Sequence, residues 1–453
     1  MKNYKYILYL LLSLLVMTGC SKDDDGSSPT SGTRRTIMVY FNAENNLHSA
    51  AEADLEELVE GSKILASDCN LLVYFDFIET KDDQNIPAIY KIKNGNREAL
   101  HVYDKSLDSS DPKVMLSVFQ DMIRLSPADE YATVFWGHGD GPIIANSSNG
   151  LDVSFEENEP DSYGVDYNNQ HDRSKETWID IPVLANKVMK KLPKQEFIFF
   201  DACCMQSIEV AYELRNCTKY LIGATCETPS FGASYSTTTK YFGYTNLESA
   251  CKLIVDDYQS QSNWTVWHQY FINNVCMSVI KTEDTQYIEK LLEITRENLK
   301  ELYDTKPLEL VTTFSEDEHQ ATSCIYYWKV SGSRSGSPIL YDMNDVMLHN
   351  LSDPEYENWK EALDKVVIYR PNTGDIRDTG NCDWYGGDLK DRYGNYYMTM
   401  ATKNFRSFYL SDKTFGGVSM FFPKNEYKYY TNMNTRMYDY EWCREVGWKD
   451  LGW

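Results

Sequence analysis

The chain predicts an α/β protein with a mostly parallel central sheet, helices on both faces, and a smaller C-terminal α/β or α+β subdomain. Two segments lead to this reading: TVFWGHGDG around His138 and FIFFDACCMQS around Cys203. Each is a short apolar run of the kind a buried parallel strand requires, and each stops at a reactive side chain followed by small or polar residues. The third observation is the alternation of strand-like and helix-like runs between them and on either side. In open α/β sheets the carboxyl ends of the strands are where ligands and chemistry sit.

The elements follow in order. Lys2 and Lys5 precede the apolar run ILYLLLSLLVM, and Met17-Thr18-Gly19-Cys20 closes it, the pattern of a secretory signal (1–19) with a lipoprotein cleavage site. The run is shorter than the roughly 20 residues a membrane span needs, so a lipid on Cys20 is the expected anchor. SKDDDGSSPTSGT then reads as a flexible tether (20–33). Lys22 with its three aspartates resembles a signal that sends some Gram-negative lipoproteins to the cell surface, although a solvated linker has the same composition. The expected location is the bacterial cell envelope, lipid-anchored at the outer membrane and exposed at the surface.

Residues 34–250 are expected to form the catalytic domain. Thr36 to Asn42 is its first strand, Ala50 to Leu65 a helix and Leu71 to Phe77 the second strand. IPAIYKI starts a short antiparallel pair, and Val114 to Arg124 is a helix leading into the histidine strand. Between His138 and Cys203 lies a polar insertion, 146–177, without helical period; loops of that length in a compact domain are usually functional or mobile. Leu221 to Thr225 is another strand. Residues 251–453 are assigned to the C-terminal subdomain packed on the catalytic core, with a helix from Tyr287 to Leu302, loops from Asp375 to Gly394 and a strand from Val418 to Phe422. No repeat at a period of about 20–50 residues is present.

Composition narrows the function. With 453 residues and 42% hydrophobic content the chain can bury a large core. A net charge of -24 and the lack of a basic stretch with interleaved aromatics exclude nucleic acid as a natural partner. Eleven cysteines show no Cys-x-x-Cys pair and lie far from most of the seven histidines, so no metal site is expected.

Taken singly, a histidine after a strand is ordinarily a hydrogen-bonded structural residue, and a cysteine in an apolar run ordinarily packs inertly. Together, at two strand ends of one sheet edge, they are the minimum equipment for a thiolate nucleophile and its proton carrier. Gly137 and Gly139 flank His138, where a substrate backbone could approach. Cys203 precedes the amphipathic run Ile208, Ala211, Tyr212, Leu214, and a helix N-terminus there would favour the thiolate. Cys204 is the competing thiol, but successive residues cannot both face the cleft.

These segments resemble the clostripain-like cysteine peptidases, relatives of the caspase, legumain and gingipain group. The resemblance rests on Gly137-His138-Gly139 and Asp201-Ala202-Cys203, supported by IMVYFNAENNL from Ile37 to Leu47, SPADEYATVFW, IEVAYEL and GGVSMFFP, and spans about Thr36 to Pro423. It implies a caspase-like sandwich and a cysteine endopeptidase acting on protein or peptide substrates through a Cys203–His138 dyad, without a third catalytic acid. It implies an oxyanion held by the backbone amides of Gly139 and Cys203, and a self-cleavage site within the insertion, for which Arg173 and Lys175 are the basic candidates. No cofactor is expected from the residues; the resemblance admits calcium without naming ligands.

The resembled enzymes favour Arg or Lys before the cleaved bond, using the aspartate of Asp-Ala-Cys and a second acid in the loop after the next strand. Asp201 keeps the first. The second loop reads Glu227-Thr228-Pro229-Ser230-Phe231-Gly232, with Ser230 or Phe231 where an acid is expected. An aromatic wall favours a flatter or apolar residue, so basic specificity is expected to be relaxed unless Glu227 or an acid elsewhere substitutes. The competing class is an inactive lipoprotein that uses the same fold as a binding module, with YKYYTN and YDYEW as a glycan surface. Selective labelling of Cys203 separates the two.

Overall fold

The computed structural model describes residues 32–76, 86–143, 162–167, 176–226, 228–260, 264–266, 270–272, 275–305, 314–315, 320–321, 324, 326–329, 338–371, 413–423 and 433–450. In chain order its first strands are β1 Arg35–Phe41, β2 Cys69–Phe75, β3 Ala88–Lys93, β4 Asn96–Val102 and β5 Glu130–Trp136. The short pair β6 Tyr163–Asp166 and β7 Thr177–Ile179 follows, then β8 Ile198–Asp201 and β9 Tyr220–Ala224. Later strands are β10 Trp264–Val266, β11 Tyr270–Ile272, β12 Met277–Lys281, β13 Phe314–Ser315 and β14 Gln320–Ala321. The last are β15 Tyr326–Lys329, β16 Pro338–Asp342, β17 Val367–Tyr369 and β18 Ser419–Phe421.

Nine of these make one sheet in the order β17-β12-β9-β8-β5-β1-β2-β3-β4. Its five central strands, β9-β8-β5-β1-β2, are mutually parallel, and antiparallel pairs close both sides. The mostly parallel α/β sheet expected from the sequence is the one observed. Two strands from beyond residue 250, β12 and β17, extend this layer, so the C-terminal region contributes to the central sheet as well as packing on it.

The apolar character of the central strands has a direct cause: β1, β2 and β8 are buried at every position and β5 at all but its first, because helices cover the sheet. Helix His48–Gly61 packs with Tyr235–Phe242, which packs with Leu247–Ser260. Another group is formed by Pro112–Leu125, the turns after Ile181, Ile208–Leu214 and Glu441–Val446. Helix Pro112–Leu125 begins where Asp111 accepts the amides of Lys113 and Val114, with a proline at the first position, whose missing N–H would have been unsatisfied anyway. Inside the sheet Phe135 stacks on Phe200 at 5.1 Å, and each such buried ring stabilises the fold by about 1.5–3 kcal/mol.

Register is what positions the site. Phe41 pairs with Phe75 in β2 and with Trp136 in β5, and Trp136 pairs with Asp201 in β8. The four strands therefore end level, and the residues that follow them (Asp76, Asn42, Gly137-His138 and Ala202-Cys203) emerge side by side along one edge.

The aromatic cluster at Tyr440 and Trp442 is core rather than surface. Both side chains are fully buried, and Trp442 meets Tyr212 edge-on at 5.5 Å on the helix that follows the cysteine. Arg215 ties the same contact with a bidentate ion pair to Glu441, 3.0 Å to each oxygen. No helix among the described residues is long and apolar enough to cross a membrane. The signal segment, Cys20, Arg173, Lys175, Glu227, the cluster YKYYTN and the loops from 375 to 394 lie outside the described residues.

Candidate active site

Adjacent parallel strands run about 4.8 Å apart, so the register Trp136↔Asp201 delivers the segments of His138 and Cys203 as neighbours. Contact continues past the strand ends. The Gly137 amide donates to the Asp201 carbonyl at 3.4 Å. A methyl group on Gly139 would lie 2.7 Å from the Cys203 carbonyl oxygen and 2.9 Å from the Met205 sulfur, which is why only glycine fits after the histidine. Gly137 has φ +147°, and its own methyl would meet the Asn42 carbonyl at 3.0 Å.

The imidazole is held from the β1 side. His138 Nε2 lies 2.7 Å from Asn46 Oδ1, and the Tyr167 hydroxyl donates to the same oxygen at 3.4 Å. With Oδ1 as acceptor, Nε2 carries the ring proton and Nδ1 is the basic nitrogen. Behind the ring stands Trp178, 6.2 Å between centroids. Strand β6 runs beside the histidine segment: the Gly164 amide donates to the His138 carbonyl at 2.9 Å, and the Asp140 amide to the Ser162 carbonyl at 3.0 Å. The bridge between Gly139 and Tyr163 is framed by those two bonds and makes no use of the Gly139 amide.

Cys203 and Cys204 differ in exposure. Cys203 is half-buried in the turn after β8, whereas Cys204 is sealed, with φ +60° and its amide bonded to the Cys226 carbonyl at 2.9 Å. The expectation that a helix N-terminus heads the thiol needs correction. That helix starts only at Ile208, with Ser207 as its cap. The local N–H comes instead from the loop after β9: the Thr228 amide points at Cys203 Sγ from 3.2 Å, with the Thr228 hydroxyl at 3.6 Å. An amide aimed at sulfur favours the thiolate by the same electrostatics a helix end would supply.

The described cysteines other than Cys203 are all buried, and none of the described cysteines forms a disulfide. Burial pushes the thiols of Cys69 and Cys217 up to about 11, and those of Cys276 and Cys443 well above their ordinary value.

The model of the clostripain family, peptidase C11, matches residues 39–453. The chain belongs to the clostripain family. It is a cysteine peptidase. The clostripain fold is also visible in structural likeness. A secreted C11 cysteine protease from Bacteroides thetaiotaomicron, solved with an irreversible peptide inhibitor, aligns at TM-score 0.63 and 24% identity, covering 92% of this chain and 99% of that one. An inactive zymogen of a C11 protease from Parabacteroides distasonis aligns at TM-score 0.62 and 21% identity, covering 93% and 99%. A search of curated proteins finds no match.

Within this clostripain site, Asp201 lies deeper than the thiol. Its carboxylate is buried and accepts three donors of the chain itself: the Ala233 amide at 2.8 Å, the Tyr235 hydroxyl at 2.7 Å and the Tyr258 hydroxyl at 2.9 Å. Burial raises its pKa, and these donors oppose the rise. A second acid, Asp54 of helix His48–Gly61, shares the position. A methyl on Gly232 would lie 2.6 Å from a carboxylate oxygen of each. Asp54 accepts the Trp136 indole N–H at 2.6 Å, and burial together with the neighbouring Asp201 pushes it up to about 10, so it is neutral at pH 7.

The loop of Thr228 to Ala233 thus spans from the sulfur to Asp201, and carries Phe231, 45% exposed, between them. Reasoning from sequence missed Asn46, Thr228, Asp54, Tyr235 and Tyr258. Asn46 had a local signal, the polar turn FNAENNL that follows β1, and Thr228 lay in the loop that the resemblance set at the pocket.

Proposed function

We propose that this peptidase is an endopeptidase that cleaves through Cys203 and His138, that a lipid on Cys20 anchors it at the cell envelope, and that it favours an uncharged residue before the scissile bond. The observation that carries the dyad is the level register of β5 and β8, which brings the two strand ends into contact.

The chemistry follows from the protonation pattern. His138 Nδ1 takes the Cys203 proton, and the sulfur attacks the scissile carbonyl to form a C–S bond while the carbonyl electron pair moves onto oxygen. The oxyanion is received by the Gly139 and Cys203 amides. Collapse breaks the C–N bond, and the imidazolium gives its proton to the leaving amine. Water then attacks the thioester with His138 as base, releasing the acid and restoring the thiol. Asn46 holds the ring in the required tautomer.

Two features support an uncharged preference. Asp201 already has two donors on Oδ2 and one on Oδ1, so an arriving guanidinium would find one acceptor position on this buried carboxylate and not the two that a bidentate pair uses. Burial and the neighbouring Asp201 raise Asp54, which disfavours a second negative charge there, and a cation beside one largely occupied carboxylate is poorly compensated for its lost water. Phe231 offers an apolar wall instead. A peptide library cleaved by the purified enzyme tests this. Preference for uncharged residues, with an insertion that is not nicked after Arg173 or Lys175, is the expected result. Cleavage after Arg or Lys, with a nick at either position absent from Cys203→Ala, overturns it. The anchor is checked separately: Cys20→Ser should leave the membrane fraction, and a processed Cys20→Ser protein that stays there contradicts it.

A further inference from the structure

Away from the catalytic edge, one group of side chains gathers donors that the reaction does not use: Cys324, just before β15, with Asp345 and His349 of helix Met343–Asn350. One ligand atom of each lies within 4.8 Å of the others. Helical spacing explains half of the arrangement, because residues four apart share a face, and His349 Nδ1 stands 3.3 Å from Asp345 Oδ1. The pairing of β15 with β16 supplies the other half. The Tyr327 hydroxyl of β15 donates to Asp342 Oδ2 at 2.5 Å, and Asp342 caps the helix by accepting the amides of Asn344 and Asp345. Cys324 Sγ thereby arrives 3.9 Å from the Asp345 carbonyl oxygen, which His349 Nδ1 also approaches, to 2.8 Å. Ligands bound to a tetrahedral zinc at about 2.0–2.3 Å stand roughly 3.3–3.8 Å apart. The Nδ1–Oδ1 pair already has that separation, and the thiol needs only a short inward shift. Burial divides the set: Cys324 and Asp345 are sealed, whereas the His349 side chain is half exposed, which leaves a solvent side where an ion and a water can enter.

The donor types select the ion. Thiolate and imidazole suit zinc and its transition-metal neighbours, whereas Ca²⁺ and Mg²⁺ take oxygen ligands and pass over sulfur. We propose that Cys324, Asp345 and His349 bind a transition-metal ion of the zinc type, with water at the fourth position, and that this ion staples the segment entering β15 to helix Met343–Asn350. Binding releases the Cys324 proton to solvent and uses Nδ1 as the bare ring nitrogen, which leaves the imidazole proton on Nε2. The staple acts on the last strands of the chain: β16 pairs with β18, and Ser419 of β18 bridges to Ser207, the cap of the helix after Cys203. None of the reacting atoms takes part, so the inference is independent of the peptidase reading. The lack of a Cys-x-x-Cys pair, from which no metal site is expected, does not bear on this set, because strand pairing and not chain spacing brings the cysteine to the two helix residues.

The test uses the full chain, free of any tag and stripped with chelator, in a Cys203→Ala background, because Cys203 beside His138 is the other place where a thiol and an imidazole could take a metal. Co²⁺ is the probe. It should give a thiolate-to-metal charge-transfer band that saturates near one equivalent and is displaced by Zn²⁺. Saturating Zn²⁺ should raise the melting temperature by about 3 °C or more. Cys324→Ser should lose the charge-transfer band. His349→Ala, which removes a half-exposed side chain and so decides the matter where Cys324→Ser does not fold, should weaken Zn²⁺ binding by at least the 10- to 100-fold, roughly, that loss of an outer-shell partner costs. The absence of a charge-transfer band in the parent overturns the site. So does a band or a Zn²⁺ shift that is unchanged in His349→Ala or in a folded Cys324→Ser, as binding at surface acids or at another thiol would give.

Discussion

Two stretches of one sheet edge treat their polar groups in opposite ways. At the β5–β8 ends, Cys203 and His138 are half-buried, Asn46 is exposed, and each of the two side chains has a partner from a neighbouring loop, Asn46 at His138 Nε2 and Thr228 at Cys203 Sγ. At the β1–β2 ends, a few residues away, Glu44, Asp76 and Asp166 are sealed from solvent. The register that levels the strands made both. The difference teaches that, on the proposed reading, half-exposure goes with groups that must exchange protons with a substrate, whereas complete burial raises an acid's pKa and favours its protonated form, as at Asp76.

The largest expected effect separates reactive from structural groups at the β5–β8 ends. Cys203→Ala and His138→Ala should each lower peptide hydrolysis about 10⁴-fold or more while the protein stays folded, whereas Cys204→Ala should keep measurable activity because its sulfur is sealed. Retained hydrolysis in Cys203→Ala would break the comparison at once.

A smaller effect tests the link between the two stretches. Asn46→Ala removes the acceptor of His138 Nε2 without touching substrate, so kcat should fall about 10- to 100-fold with KM nearly unchanged. The pH–rate profile should shift as the tautomer is released. A change in KM alone would assign Asn46 to substrate binding.

The smallest effect concerns a buried acid behind the site. Glu209, on the helix after Cys203, accepts the Phe421 amide at 2.7 Å, and burial pushes it up to about 7. A carboxyl whose folded pKa lies above its unfolded value stabilises the fold fully below about pH 4.5, and that contribution is lost as pH rises to about 7. The wild-type unfolding free energy should therefore decline by up to about 3 kcal/mol over this window, seen as a falling melting temperature, and Glu209→Gln should flatten it. An identical pH dependence in both proteins would show that Glu209 does not carry the decline.

Much of this was legible in the sequence where information is local. β1, β2, β5, β8 and β9 were readable because apolar runs of strand length stop at polar turns, and their observed bounds fall within a few residues of expectation. Gly137-His138-Gly139 and Asp201-Ala202-Cys203 were readable because close approach demands small residues beside reactive ones. Tyr235, Tyr258 and Asp54 were not, since nothing near them in the chain says that they face Asp201, and the loop of Thr228, set at the pocket by the resemblance, gave no sign that its amide meets the sulfur; register and helix packing bring them there. The buried cluster of Glu44, Asp76 and Asp166 is the extreme case, three acids with no short-range spacing in the chain. The helix N-terminus expected at Cys203 failed for a related reason: four residues of turn precede the Ser207 cap, and a loop from after β9 does the work instead.

The central claim is that Cys203, activated beside His138, is the reactive thiol among the eleven cysteines. Its most direct test is the rate of iodoacetamide labelling at each cysteine of the folded protein, mapped by mass spectrometry across pH 5 to 9, in wild type and His138→Ala. The account predicts rapid labelling at Cys203 alone among the described cysteines, lost hydrolysis in step with that labelling, and a slower, later-titrating Cys203 in His138→Ala. Uniformly slow labelling, or a fully alkylated Cys203 with hydrolysis intact, would contradict it.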